Sequence, residues 1–325
     1  PEKGKEYWTL EGDVESVGEF IRLYLTRHQR WASPLVLVGE SYGTTRAAGL
    51  AGHLVDRGIA FNGIVLVSSI LNFQTADFHT GNDLPYALHL PTYAATAWFH
   101  GKLPPDLQER PLADVLDEVE IWAGGEYPTI LQQGDRLAEG ERRDAVQTLS
   151  RYSGLRPEYL EETNLRIEIQ RFCKELLRDR RRTVGRLDSR FQGIDLTATG
   201  ERPHFDPSMA AIRPPYTATL NDYVRRELGY ETDLVYHILG GGVESWDFDA
   251  PGRYPDTSEA LLEAFAKNPD MRVFVASGYY DLATPYFATE YTLSHMGLDP
   301  VQRQRISTAE YEAGHMMYIH EGELA

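Results

Sequence analysis

Residues 34–48 are Pro-Leu-Val-Leu-Val-Gly-Glu-Ser-Tyr-Gly-Thr-Thr-Arg-Ala-Ala, and the fold can be predicted outward from them. The apolar run 35–38 is typical of a buried parallel strand. A Gly-x-Ser-x-Gly motif follows directly, and the small residues after it predict a helix lying close to the sheet. A strand, a sharp turn and a helix in this order form a nucleophile elbow, which lifts a serine hydroxyl clear of the sheet. The sequence therefore predicts Ser41 as a nucleophile.

Two glycines flank this serine, and we expect each to be required by the tight turn. Side chains at Gly39 or Gly43 are expected to collide as the helix returns over the strand. Ser41 would then lie at the positive end of the helix, where a developing oxyanion is stabilised. A plain glycine-rich turn between strand and helix is the alternative interpretation.

The composition indicates a folded globular protein. With 325 residues, of which 42% are hydrophobic, the chain can bury a large core, as one α/β domain or as a core with an insertion. Its formal net charge of −17 argues against nucleic acid or an anionic membrane as a partner. Its one cysteine, Cys173, excludes an internal disulfide. No apolar run approaches the ~18 residues of a membrane span. The compartment and the oligomeric state stay open.

Two parts of the chain, residues 1–71 and 231–325, alternate between strand and helix patterns. We therefore predict that they form an α/β core with a mostly parallel sheet flanked by helices. The predicted elements are helices over 11–30 and 258–267 and strands over 61–67, 271–276 and 304–311.

The segment between these parts, residues 72–230, lacks that alternation. Charged helical patterns dominate it, over 111–121, 137–150 and 163–182. We predict an inserted, mainly helical cap. The glycines 240–242 lack a following Lys-Ser/Thr, so they predict a flexible turn and not a phosphate loop.

Three candidate catalytic residues each follow the end of a predicted strand. Ser41 follows the elbow strand, Asp281 follows strand 271–276, and His315 follows strand 304–311. The carboxyl ends of parallel strands meet at one edge of a sheet, where functional groups gather. The chain order Ser, Asp, His is that of α/β-hydrolases. We therefore predict an α/β-hydrolase fold with a helical cap.

The chemistry of this trio is nucleophilic catalysis. A serine hydroxyl needs a histidine to take its proton, and a buried carboxylate fixes the imidazole tautomer. Asp281 has an alternative role as the N-cap of a helix predicted over 282–295. His315 and His320 suggest a metal pair, but their spacing of five places them on different helix faces. We predict no metal and no cofactor.

The motifs around the trio resemble those of the serine carboxypeptidase family, most closely its bacterial members. The elbow matches the family signature Gly-Glu-Ser-Tyr-Gly followed by Gly or Thr. Residues 277–281, Ser-Gly-Tyr-Tyr-Asp, resemble the aspartate motif, usually Asn-Gly-Asp-x-Asp. Residues 313–316, Ala-Gly-His-Met, match the histidine motif. The resemblance covers nearly the whole chain. It implies hydrolysis of C-terminal peptide bonds through an acyl-enzyme on Ser41, with peptides that have a free C-terminus as substrates.

The resemblance also implies roles for the neighbours of the trio. Glu40 would bind the substrate carboxylate, which requires a proton on one of the two groups and hence an acid pH optimum. A solvated elbow residue is the alternative for Glu40. Tyr42 and Met316 would line pockets beside the scissile bond, and the Tyr42 backbone N–H would donate to the oxyanion.

One family feature is missing from the sequence. The second oxyanion donor of the family comes from an early Gly-Gly-Pro-Gly loop, and these 325 residues contain no such motif. We therefore expect the chain to begin partway through the family's fold, without its first strands, and to be short of a final helix. Two other functions stay open: ester hydrolysis or acyl transfer by the same trio, and a catalytically inactive form of the fold.

Overall fold

The computed structural model describes residues 2–238 and 246–323. Glycines 240–242, predicted as a flexible turn, lie outside these residues. The strands are β1 (Val36–Glu40), β2 (Gly63–Val67), β3 (Thr183–Val184), β4 (Gln192–Gly193), β5 (Arg272–Gly278) and β6 (Ile306–Tyr311). The helices are α1 (Leu10–Arg27), α2 (Tyr42–Val55), α3 (Leu84–Phe99), α4 (Pro105–Gln108), α5 (Leu112–Gly124), α6 (Glu126–Gln133), α7 (Glu139–Ser153), α8 (Pro157–Glu162), α9 (Ile169–Glu175), α10 (Pro207–Arg226), α11 (Ser258–Lys267), α12 (Tyr286–His295) and α13 (Pro300–Arg303). Short 3-10 turns lie at Glu2–Tyr7, Phe73–Ala76, Gly134–Arg136, Arg178–Arg180, Met317–Ile319 and Glu321–Glu323.

Four strands form a parallel sheet in the order β1-β2-β5-β6. In one register row across it, Val38 pairs with Val65, Val65 with Phe274, and Phe274 with Ser307. Three strands were expected from apolar runs and β6 from an alternating pattern, and their ends agree with the prediction to within two residues. The expectation that β1 is buried is wrong for one of its faces, because β1 ends the described sheet and its Val36 and Val38 are 63% and 65% exposed. Because the strands are parallel, their carboxyl ends share one edge of the sheet. The protein is thus a mixed α/β fold with helices flanking a parallel sheet.

The first hydrophobic core lies on one face of this sheet. Apolar side chains that alternate along the strands, such as Ile64 and Leu66, are buried against α1, α2 and α11. Helix α2 can approach closely because its inner face consists of small residues, including Ala47, Ala48 and Ala51. This packing fixes the first turn of α2 directly after β1.

The second core is formed by helices between β2 and β5. Residues of α3, α5, α6, α7 and α9 bury one another, with Tyr93 stacked on Phe172 at a ring distance of 4.1 Å. Tyr280 and Tyr286, which follow β5, join the same core. The helices therefore pack against the loop that carries Asp281. No helix in the described ranges is long and apolar enough to cross a membrane.

The helical pattern over 163–182 was expected as a continuous stretch, and the structure differs there. Helix α8 ends at Glu162 and α9 begins at Ile169. Between them Asn164 and Leu165 have φ of 55° and 62°, a left-handed conformation that breaks a helix. Leu165 is buried, so its packing outweighs the helical preference of the local sequence.

The two elbow glycines differ in the space available for a side chain. A Cβ on Gly39 would overlap the Gly43 carbonyl, because α2 returns directly over the strand. A Cβ on Gly43 would have no described atom within 4 Å. The expectation of a collision is therefore right for Gly39 and wrong for Gly43, which faces open space.

This difference gives a matched pair of variants. Gly39→Ala should lower the free energy of unfolding by about 1–3 kcal/mol, because backbone atoms must move to make room. Gly43→Ala, in the first turn of α2, should change it little. Urea unfolding followed by circular dichroism measures both. Equal stability of the two variants would contradict the close approach of α2 to β1.

Candidate active site

Ser41 stands at the turn between β1 and α2 in a strained backbone conformation. Its φ of 56° and ψ of −126° lie in a region that residues other than glycine rarely adopt. The Ser41 N–H donates to the Val67 carbonyl at 3.0 Å, and the Ser41 carbonyl accepts from Thr44 N–H at 2.9 Å. These bonds tie the turn to the end of the neighbouring strand. The geometry is that of the predicted elbow.

Asp281 and His315 form a buried pair beside it. Asp281 follows β5, His315 follows β6, and His315 Nδ1 lies 2.7 Å from Asp281 Oδ2. The side chain of Asp281 is fully buried, and that of His315 nearly so. Asp281 was also considered as the N-cap of a helix over 282–295, but α12 begins at Tyr286 with Pro285 at its N-cap. That alternative is therefore wrong.

The Asp281 carboxylate is held by three further hydrogen bonds. The backbone N–H groups of Ala283 and Thr284 donate to Oδ1 at 2.8 and 3.1 Å, and the Thr284 hydroxyl donates to Oδ2 at 2.6 Å. All of these donors come from the loop that follows β5. They satisfy a carboxylate that water does not reach, so its orientation toward His315 is fixed.

The pair shifts both of its pKa values toward the ionised forms. Burial alone would raise the pKa of Asp281, but His315 and the Thr284 hydrogen bonds outweigh it and hold that pKa below its usual value. Burial alone would lower the pKa of His315, but the Asp281 carboxylate raises it above the usual value. The carboxylate thus stabilises an imidazolium, as proton transfer to the histidine requires.

Ser41 and His315 line the same cavity, whose volume is about 470 Å³. Within the described residues, the Ser41 hydroxyl forms no hydrogen bond with His315. Such bonds are often long until a substrate is bound. A cavity of about 610 Å³ beside α3 and α12 contains none of the three residues. The smaller cavity is therefore the candidate active site.

The backbone around His315 is fixed by residues that sequence reasoning missed. The Ser68 hydroxyl donates to the His315 carbonyl at 2.6 Å, and His315 N–H donates to the Leu187 carbonyl at 2.7 Å. Leu282 N–H donates to the Arg186 carbonyl at 3.1 Å. Residues 186–187 thus join the loops of the acid and the base. Main-chain contacts of this kind leave no pattern in a sequence.

Two of the three neighbours to which the resemblance assigned a role line the cavity. Glu40 and Met316 line it, as the resemblance implied. The Tyr318 hydroxyl lies 2.8 and 3.0 Å from the two carboxylate oxygens of Glu40. Sequence reasoning assigned Tyr318 no role, because its contact with Glu40 joins residues 278 positions apart.

Tyr42 was expected to line a pocket, and its side chain does not line this cavity. Its hydroxyl donates to Asp13 Oδ2 at 2.9 Å, and its ring packs 5.2 Å from that of Trp246. The buried Asp13 also accepts from Arg46 Nε at 2.7 Å, so it holds the tyrosine toward α1. The Tyr42 backbone N–H remains in the first turn of α2, where a helix offers its amides no partner.

Residues 2–238 and 246–323 contain no group of three or more His, Cys, Asp or Glu side chains placed to hold a metal ion. His315 is engaged with Asp281, and His320 lies 3.9 Å from Glu323.

Comparisons with known proteins do not assign the chain to a family. No family model matches the chain, and neither does any curated protein. A solved structure, the crystal structure of VinJ, aligns over 100% of this chain and 72% of its own, with a TM-score of 0.35 and 13% identity. A likeness this low carries no argument about fold or function.

Proposed function

We propose that the chain is a serine hydrolase of the α/β-hydrolase fold that releases C-terminal residues from peptides. The observation that supports this best is the strained turn of Ser41 in one cavity with the buried Asp281–His315 pair. A strained serine at a strand end and a charge-stabilised histidine are what acyl transfer to a hydroxyl needs.

The reaction would proceed through an acyl-enzyme. Ser41 Oγ attacks the scissile carbonyl carbon while His315 Nε2 takes the hydroxyl proton, and the Tyr42 N–H donates to the oxyanion. His315 returns the proton to the leaving amine as the C–N bond breaks. Water, deprotonated by the same histidine, then attacks the acyl carbon, and His315 returns that proton to Ser41 Oγ as the ester bond breaks. Asp281 stays ionised and holds the Nδ1–H throughout.

Glu40 supports an exopeptidase in preference to a general esterase. It lies beside the nucleophile and lines the cavity. A protonated Glu40 can accept from the Tyr318 hydroxyl through one oxygen and donate to a substrate carboxylate through the other. The C-terminal carboxylate would then place the last peptide bond next to Ser41.

Matched peptides test this proposal. We expect N-acetylated peptides with a free C-terminus to be hydrolysed at the last bond, at least about 10-fold faster in kcat/KM than their C-terminal amides. A nitrophenyl ester reports the hydrolytic chemistry alone. Ester hydrolysis without peptide hydrolysis would favour an esterase or acyltransferase, and equal cleavage of acids and amides would contradict carboxylate recognition.

The pH dependence tests Glu40 itself. Peptide hydrolysis needs a proton on Glu40 and none on His315, so kcat/KM should pass through a maximum and fall in alkaline solution. In Glu40→Gln the side-chain amide donates without a proton, so the alkaline fall should disappear. The acid fall, caused by protonation of His315, should remain but move to lower pH, because the negative charge of Glu40 helps to raise the pKa of His315.

The matched control is Glu259→Gln, an exposed residue of α11 outside the cavity. Its kcat/KM profile should follow that of the unmodified protein. An alkaline fall that persists unchanged in Glu40→Gln would remove Glu40 from carboxylate recognition.

A further inference from the structure

The candidate active site contains two cationic side chains besides Glu40. Two arginines, Arg186 and Arg213, line the cavity together with Glu40, Ser41 and His315. The chain as a whole has a formal net charge of −17. The cavity thus departs locally from the acidic character of the protein.

Arg186 is held close to the catalytic pair. Its backbone N–H donates to Asp206 Oδ1 at 3.1 Å, and its carbonyl accepts from Leu282 N–H at 3.1 Å. The next residue, Leu187, accepts from His315 N–H. Among the smaller influences on the pKa of His315, Arg186 acts to lower it, opposite to the larger effect of Asp281. The charge of Arg186 therefore influences the pKa of His315.

Arg213 reaches the cavity from the helix above it. One face of α10 lines the cavity, through residues at helical spacings of three and four: Met209, Ile212, Arg213, Tyr216 and Leu220. Arg213 is the one cation on this otherwise mostly apolar face. The spacing is visible in the sequence, but only the fold brings this face into one cavity with Ser41.

Neither guanidinium is neutralised by the described part of the protein. Within residues 2–238 and 246–323, no carboxylate forms an ion pair with Arg186 or Arg213, and neither side chain donates a hydrogen bond. By contrast, Arg190, which is close in sequence, pairs with Asp188 at 2.7 Å. Both residues are exposed, so their guanidinium groups are accessible to a substrate carboxylate, which they can bind through charge-assisted and often bidentate hydrogen bonds.

We propose that Arg186 and Arg213 bind a carboxylate of the substrate, so that the site selects peptides in which a carboxylate lies next to apolar residues. This inference rests on the proposed function. The carboxylate comes either from the peptide C-terminus or from an acidic side chain next to the scissile bond. Unlike Glu40, an arginine needs no additional proton to bind an ionised carboxylate.

Two substrate pairs distinguish these sources. N-acetyl-Phe-Leu against its amide reports the C-terminal carboxylate, and N-acetyl-Phe-Glu against N-acetyl-Phe-Gln reports an acidic side chain. In the double variant R186Q/R213Q, we expect the kcat/KM ratio of one pair to fall about 10- to 100-fold. The pair that responds identifies the source. Two unchanged ratios would overturn the inference.

The matched control is Arg30→Gln, an exposed arginine that does not line the cavity, and both ratios should stay as in the unmodified protein. The charge reversal R186E/R213E gives a second readout on whichever pair responds, because it should lower kcat/KM for the anionic member of that pair below that of its neutral partner. An anionic preference that survives the reversal in both pairs would also overturn the inference. Peptide hydrolysis that persists in Ser41→Ala would instead overturn the proposed function, whatever the arginine variants show.

Discussion

Replacing Ser41 with alanine should lower kcat for peptide hydrolysis by at least about 10³-fold. The variant loses the attacking oxygen, and the Asp281–His315 pair has no second hydroxyl at the strained turn to activate. The change is small and Ser41 is only partly buried, so folding should be preserved. Steady-state kinetics with an N-acetylated peptide, alongside circular dichroism, measures the effect.

Ser294→Ala is the matched control, because Ser294 is exposed on α12 and far along the chain from the elbow. It should retain the activity of the unmodified protein. If Ser41→Ala retains more than a tenth of that activity while Ser294→Ala is also active, Ser41 is not the nucleophile.

Replacing Asp281 with asparagine should lower kcat by about 10⁴-fold, through the tautomer of His315. The backbone donors of Ala283 and Thr284 require an acceptor at the Oδ1 position, so the new amide nitrogen must take the place of Oδ2. That nitrogen would donate to His315 Nδ1. The histidine would then carry its proton on Nε2, where it cannot accept the proton of Ser41.

We also expect Asp281→Asn to change the pH dependence of ester hydrolysis, which a purely structural role of Asp281 would not alter. Because Asp281 raises the pKa of His315, its loss should move the acid limb of the residual ester hydrolysis to lower pH. Asp270→Asn, at a side chain that is 97% exposed, is the control and should alter neither quantity. An acid limb that stays in place would contradict the contact between the two residues as the source of the shift.

Much of the sheet follows from local sequence, because β1, β2 and β5 are apolar runs bounded by turns and β6 has an alternating pattern. The positions of Ser41, Asp281 and His315 follow as well, since each comes after a predicted strand and parallel strands bring their ends together. The buried contact between Asp281 and His315 agrees with this expectation, although the two residues are 34 positions apart. Strand ends are thus informative even when the order of strands in the sheet is unknown.

What could not be predicted depends on contacts between distant segments. The orientation of Tyr42 is set by Asp13 on α1, and the space at Gly43 depends on what lies above the elbow. The break at Asn164 and Leu165 results from the burial of Leu165. Arg213 had no distinguishing mark in the sequence, because the cavity exists only once α10 lines it together with the residues around Ser41. Local pattern carries little information about any of these.

Glu40 and the two arginines line one cavity, so a substrate carboxylate has two kinds of binding group available to it. Glu40 recognises a carboxylate only when protonated, whereas Arg186 and Arg213 remain charged. If both bind the same C-terminal carboxylate, the alkaline fall of the unmodified protein should be shallow. If the arginines bind an acidic side chain, the fall should be steep for every peptide. The pH profile and the substrate pairs must therefore agree on which carboxylate the arginines bind.

Covalent labelling tests the central claim, an acyl-accepting hydroxyl at Ser41, most directly. The protein is treated with a fluorophosphonate, which reacts with serines activated by a neighbouring histidine, and the modified peptide is located by mass spectrometry. We predict one adduct, on Ser41, that does not form in the His315→Ala variant. An adduct on a different serine with Ser41 unmodified would contradict the claim.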